Sequence, residues 1–187
     1  MAHSYYTDCN KGEYVLMHPE KYMPDVPPPV YKSAWERNFF VACDMNPFVT
    51  LWAYEPPQIS IAYMSPIYMK QAIYKPDIYL ECQYPDGHKG RYLIEIKPVA
   101  YSVLPKAPKP PASNADPKKW ENYQKRKASY ERKSKDVMTN YAKWDAAANW
   151  CKIHGVNWFL ATEANMGSLF VNKSKKSTTH ALKGVSL

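Results

Sequence analysis

Two carboxylates and an amine carry the clearest chemical signal in the sequence: Asp77, Glu95 and Lys97. Hard divalent cations such as Mg²⁺ take oxygen ligands from one or two carboxylates and keep several waters, which leaves room for a phosphate oxygen and an attacking water. A lysine beside them can orient that water and stabilise the charge that builds as a phosphodiester is cleaved. The letters alone are weak evidence, because one Pro-Asp and one Glu-x-Lys are each expected about once by chance in a chain of this length. Decoys are present in Pro24-Asp25, in Pro85-Asp86 and in Glu131-Arg132-Lys133, the last on a helix, where residues two apart point in different directions. The plain alternative for the trio is an exposed cross-strand salt bridge. Cys9, Cys43, Cys82 and Cys151 lie far apart with no C-x-x-C pair, which argues against zinc and for reduced, mostly buried thiols.

The surrounding pattern puts the trio on neighbouring strands. Runs from Asp77 to Gln83 and from Arg91 to Lys97 flank Tyr84-Pro85-Asp86-Gly87, with Gly90 nearby, and this is hairpin chemistry. Residues two apart on a strand share a face, so Glu95 and Lys97 project together while Tyr92, Ile94 and Ile96 fill the core behind them. Asp77 starts the partner strand at the end away from the turn, across the ladder from the other two. Upstream, Trp35, Phe39 and Cys43 predict a helix over 33–45 that Asn46-Pro47 stops; strands follow over 48–55 and 59–63, then a loop over 64–75.

Downstream, six prolines between Pro98 and Pro117 predict an extended segment. Residues 118–153 then read as a helix with an apolar stripe of Tyr130, Val137, Tyr141, Trp144, Ala148 and Cys151; the pattern allows a break near Ser134, and Gly155 lies just past the end. A short strand over 156–162 closes the pattern. The expected fold is α/β or α+β, a small mixed sheet flanked by helices in one domain over 31–172. An arm over 1–30 ending on Pro27-Pro28-Pro29, the insertion over 98–117 and a loosely held basic tail over 173–187 complete it.

Glu36 is a candidate fourth acid, yet Ser33-Ala34-Trp35-Glu36 is also a capping box that explains both polar residues without chemistry. Glu55 ranks below it, and Glu163 and Lys143 could line the same cleft. The 187-residue chain is 45% hydrophobic, enough for a core, and carries a net charge of +8, which favours a polyanionic partner. Most of the excess is local: Lys118, Lys119, Lys125, Arg126, Lys127, Arg132, Lys133 and Lys135 face only Glu121 and Glu131 over residues 118–135. Such a run suits phosphates or is simply a solvated helix face. No stretch of about 18 apolar residues occurs and no signal-peptide layout opens the chain, so an intracellular protein without membrane contact is expected.

With those residues in place, the chain resembles the PD-(D/E)-x-K nuclease superfamily, and within it the phage head-completion nucleases and the endonuclease subunit of heteromeric transposases. The likeness runs through Tyr31-Lys32-Ser33-Ala34-Trp35-Glu36, Asn46-Pro47, Trp52-Ala53-Tyr54-Glu55-Pro56, Tyr74-Lys75-Pro76-Asp77, Tyr92 to Pro98, and Lys143-Trp144 within residues 140–151. The resemblance implies a restriction-endonuclease-like sheet, with Glu36, Asp77, Glu95 and Lys97 in the family's catalytic acid, acid, acid and lysine positions. It implies Mg²⁺ or Mn²⁺ held by Asp77, Glu95 and Glu36, and double-stranded DNA as substrate. Lys118, Lys119, Lys125, Arg126, Lys127, Arg132, Lys133 and Lys143 would then grip phosphates. The phage relatives further imply action on packaged DNA at the head vertex, portal, neck or head proteins as partners, and a place in the virion and host cytoplasm. A structural connector with little turnover, and a transposon- or restriction-type endonuclease, are the alternatives.

Overall fold

The computed structural model describes residues 11–170. In chain order the elements are β1 (Gly12–Glu13), β2 (Val30–Tyr31), α1 (Ala34–Met45), β3 (Val49–Tyr54), β4 (Ile61–Ser65), β5 (Lys70–Tyr74), β6 (Ile78–Gln83), β7 (Lys89–Ile96), α2 (Pro117–His154) and β8 (Asn157–Ala161). The tail over 173–187 and Cys9 lie outside the described residues.

The central sheet has the order β3-β6-β7-β8, antiparallel except for β8, which runs parallel to β7. Period-two alternation divides its side chains between two layers. Ile78, Leu80, Cys82, Ile94 and Ile96 join Phe39, Phe40 and Cys43 of α1 on one face, while Tyr79 and Leu93 join Ala147 and Cys151 of α2 on the other. The fold is therefore α+β, a mixed sheet between two helices. Glu95 falls on the α2 side by the same alternation that sends Ile94 and Ile96 to α1. Cys43, Cys82 and Cys151 are free and buried.

Local chemistry sets the helix ends. Ser33 caps α1 by accepting from the Glu36 amide at 3.2 Å, and the chain leaves the helix at Asn46 ahead of Pro47. Asp116 caps α2 through the Lys118 amide at 2.6 Å, and Pro117 takes the first turn, where its missing N–H costs nothing. Gly155 ends α2 at φ +63, a left-handed conformation in which a side chain would be strained.

Three expectations need correction. The 64–75 loop contains β5, which pairs with β4 from Ile61↔Tyr74 to Ser65↔Lys70 as a separate two-stranded sheet. Pro66 disguised it: the proline falls in the connecting turn, where Met69 sits at φ +49, and does not interrupt either strand. The second correction is that α2 runs unbroken through Ser134 for 38 residues. Third, its buried line is Val137, Asn140, Trp144, Ala147 and Cys151, with Tyr141 and Ala148 exposed. A polar residue can occupy that line because Asn140 Nδ2 donates to the Tyr101 carbonyl at 3.2 Å.

Residues 11–31 lie across α1 and β3. Tyr14 and Tyr22 pack edge-on against Trp52, with centroids 6.3 and 4.8 Å away. Fully buried Asp44 accepts from the Tyr14 hydroxyl at 3.0 Å and from the Met17 and His18 amides at 2.7 and 3.0 Å. After one 3-10 turn at Val99–Tyr101, the proline-rich segment runs irregularly along α2, to which the Ser102 carbonyl is tied by the Tyr141 hydroxyl at 2.6 Å. No helix among the described residues is long and apolar enough to cross a membrane.

Candidate active site

Asp77 stands immediately before β6, whose first residue Ile78 pairs with Ile94, so Asp77 meets Glu95 at the open end of the hairpin. Asp77 Oδ2 accepts from the Ile96 amide at 2.8 Å, and its own carbonyl accepts from the Glu55 amide at 2.8 Å. Glu95 is only 4% exposed. Its Oε2 accepts from the Tyr74 hydroxyl at 2.6 Å, and its Oε1 lies 3.5 Å from Lys97 Nζ. Asp77, Glu95 and Lys97 are thus brought together, and Tyr74 of β5 joins them.

Burial, and after it the charge of Glu95, pushes the Asp77 carboxyl well above the usual carboxylate range, against the opposing pull of the Ile96 amide and Lys97. Burial and the charges of Glu95 and Asp77 push the Tyr74 phenol far up as well, so it stays a donor. Glu36 lies near enough to add to the effect on Asp77. Its own carboxylate, raised chiefly by burial, accepts from the Lys32 amide while its backbone N–H meets Ser33. The helix-capping role of Glu36 and its nearness to the site therefore coexist. Glu55 holds a left-handed φ of +41, accepts from the Tyr54 hydroxyl at 3.0 Å and pairs with Lys32 Nζ at 2.6 Å.

These oxygens fit a hard cation. Two neighbouring carboxylates, one of them raised by burial and then by the charge of the other, are the kind of oxygen donors that a divalent ion keeping several waters would take. Among the described residues no three His, Cys, Asp or Glu side chains form a group able to hold a metal by themselves, so Glu36 is not gathered into one cluster with Asp77 and Glu95.

On the α2 side a groove of about 570 Å³ opens beside Lys97 and is lined also by Tyr68, Arg132, Lys135, Asp136 and Lys143. Lys143 Nζ stands 5.9 and 5.8 Å from the ring centres of Tyr63 and Tyr74. Of the basic residues singled out in the sequence, Arg132, Lys135 and Lys143 line this groove, while Arg126 and Lys133 face the proline-rich segment. Lys118, Lys119, Lys125 and Lys127 are exposed elsewhere on α2; Lys125 pairs with Glu121 at 2.6 Å and Lys127 with Glu131 at 4.0 Å. Glu163 is exposed and accepts from the Val99 amide at 2.9 Å, holding the start of the proline-rich segment and not lining the groove.

Tyr74 and Tyr68 are residues at this site to which sequence reasoning gave no role. Tyr74 did leave a signal: it stands three residues before Asp77 at the end of a run in which Ala72 and Tyr74 turn inward and Gln71 and Ile73 are exposed.

Comparison with known proteins agrees with this architecture. The chain is similar to the head completion nuclease of Enterobacteria phage T4, with 28% identity over 161 residues that span 84% of this chain and 94% of that protein. The family described as TnsA-like endonuclease, N terminal, matches residues 46–163, a span that holds Asp77, Glu95 and Lys97 but begins after Glu36. With more than half of its length matched, the chain belongs to the TnsA-like N-terminal endonuclease family.

Proposed function

We propose that this protein is a divalent-metal-dependent DNA endonuclease that serves as a phage head-completion protein, processing packaged double-stranded DNA at the head vertex before tail attachment. The observation that carries the reading is the meeting of Asp77, Glu95 and Lys97 at the mouth of a basic groove. The name of the phage T4 relative supports the head-completion part.

Asp77 and Glu95 would hold Mg²⁺ or Mn²⁺, with Glu36 at the start of α1 as the outer acid. A bound ion supplies Lewis acidity and a water more acidic than bulk. Tyr74 fixes the orientation of Glu95 through its 2.6 Å hydrogen bond. Lys97 offers positive charge to the phosphate as negative charge accumulates on it. Arg132, Lys135 and Lys143 line the groove in which the flanking phosphates would lie, setting the scissile bond in place without reading sequence. Water adds to phosphorus and one P–O ester bond breaks, leaving a phosphate end and a hydroxyl end.

Purified protein with Mg²⁺ or Mn²⁺ is expected to nick or cut plasmid DNA. Asp77→Ala and Lys97→Ala are expected to lower the rate by at least about 10²-fold with unchanged far-ultraviolet circular dichroism, as for removal of a principal charge-stabilising group. Equal cutting by wild type and both variants would sink the enzymatic reading. Partners of a head-completion role are portal, neck or head proteins, and immunolabelling of purified particles should find the protein at the head vertex; filled heads without it would remove that part of the proposal.

A further inference from the structure

We infer that the proline-rich segment and the first half of α2 form a second phosphodiester-binding groove, outside the catalytic one, which grips the nucleic acid beyond the cut. This rests on the endonuclease reading above. The groove has a volume of about 480 Å³. Lys106 and Lys109, with Pro105 and Pro108, line it from the proline-rich segment, and Arg126, Tyr130 and Lys133 line it from α2. No acidic side chain is among the described residues that line it. Four cations facing one another across a cleft repel, and a polyanion is the ligand class that turns this repulsion into attraction.

Both walls are built to present charge. The segment is tied down near its start by Glu163, Asn140 and Tyr141, through Val99, Tyr101 and Ser102. Beyond that anchor, Pro105, Pro108, Pro110 and Pro111 favour an extended chain with three residues per turn, which keeps Lys106 and Lys109 on one side. On α2, Arg126, Tyr130, Lys133, Asp136, Asn140 and Lys143 follow each other at helical spacings of three and four, so the second groove and the catalytic groove share one side of the helix. Arg126 and Lys143 are 17 positions apart, which is about 25 Å of helix or roughly seven base-pair steps. Tyr130 and the proline rings add apolar faces on which a base can rest. A substrate reaching both grooves should therefore bind more tightly than one that fills the first alone.

The test measures binding of the full-length protein in EDTA to a hairpin with a 5-base-pair stem, too short to reach both grooves, a 30-base-pair duplex and a 30-nucleotide single strand. Wild type is expected to favour 30-mers over the short hairpin by about tenfold or more. The Lys106→Ala/Lys109→Ala variant is expected to lose that advantage, with the log-log salt slope for the 30-mers reduced by about 2. Loss on the duplex, on the single strand or on both supports the groove and tells which form occupies it. Lys89→Ala/Lys152→Ala removes the same charge away from both grooves; an equal loss in the two pairs, or a length advantage that survives Lys106→Ala/Lys109→Ala, overturns the inference and leaves the endonuclease reading standing. If wild type binds no DNA at all, both fall together.

Discussion

Tyr74 donates a 2.6 Å hydrogen bond to a carboxylate that is 4% exposed, so the phenolic oxygen helps fix how that buried acid points. Tyr74→Phe keeps the ring and removes only that oxygen. It is expected to weaken metal-dependent cleavage by 10- to 100-fold, the usual range for a group that orients a metal ligand, and Mg²⁺ or Mn²⁺ titration of the rate should place the loss in metal affinity. An unchanged titration would mean that Glu95 holds its orientation without help. Asp77, Glu95 and Lys97 were legible in the sequence because strand alternation and a tight turn are local rules that place side chains two apart and opposite one another. Tyr74 was not, since its role exists only once β5 pairs with β4 and turns the ring toward β7. Glu36 sits between these cases: Ser33-x-x-Glu36 was legible as a cap, and only the folded chain shows the same acid raising Asp77.

Among the elements, α1 ends where its cap and its stop said it would, because Ser33 and Asn46-Pro47 act on their immediate neighbours. The docking of residues 11–31 was hidden because Asp44 binds them largely through the backbone amides of Met17 and His18, groups that carry no sequence signal. This carboxylate accepts three hydrogen bonds where no water reaches. Asp44→Ala would leave two backbone amides and one hydroxyl without this buried acceptor, at about 1–3 kcal/mol for each group that water does not recover. A loss of about 3 kcal/mol or more in urea unfolding is therefore expected, together with protease cleavage within residues 11–31. Stability within about 0.5 kcal/mol of wild type would show that the segment is held by Tyr14 and Tyr22 packing on Trp52 alone. The line Val137, Asn140, Trp144, Ala147, Cys151 teaches the same lesson, as Asn140 can be buried only because a carbonyl from the proline-rich segment meets it.

At the scale of the whole molecule, the candidate site is a seam. Asp77 and Glu95 belong to the open end of the central hairpin, Tyr74 to the small second sheet, Glu36 to the start of α1, and Lys143 to α2. A divalent ion bound there would draw several elements together, so its binding should register as global stability. At a free concentration 100 times its dissociation constant an ion selective for the folded state adds about 2.7 kcal/mol, which a thermal melt resolves readily. The pH dependence follows from Asp77. Its carboxyl is raised in the folded protein, so in the metal-free state the group contributes stability that is full below its unfolded value and is lost as pH rises through the raised folded one. Metal binding needs the deprotonated form, and protons therefore compete with the ion at low pH. The expected result is a Mg²⁺-induced rise in Tm that grows with pH across that window. Asp77→Asn removes the charge while its side-chain carbonyl can still accept from Ile96, so in EDTA it should melt above wild type at neutral pH, by a margin that shrinks in acid. The same variant should gain little from Mg²⁺ at any pH. A wild-type protein whose Tm ignores Mg²⁺ throughout would mean that the two carboxylates repel each other across this seam without a cation to share.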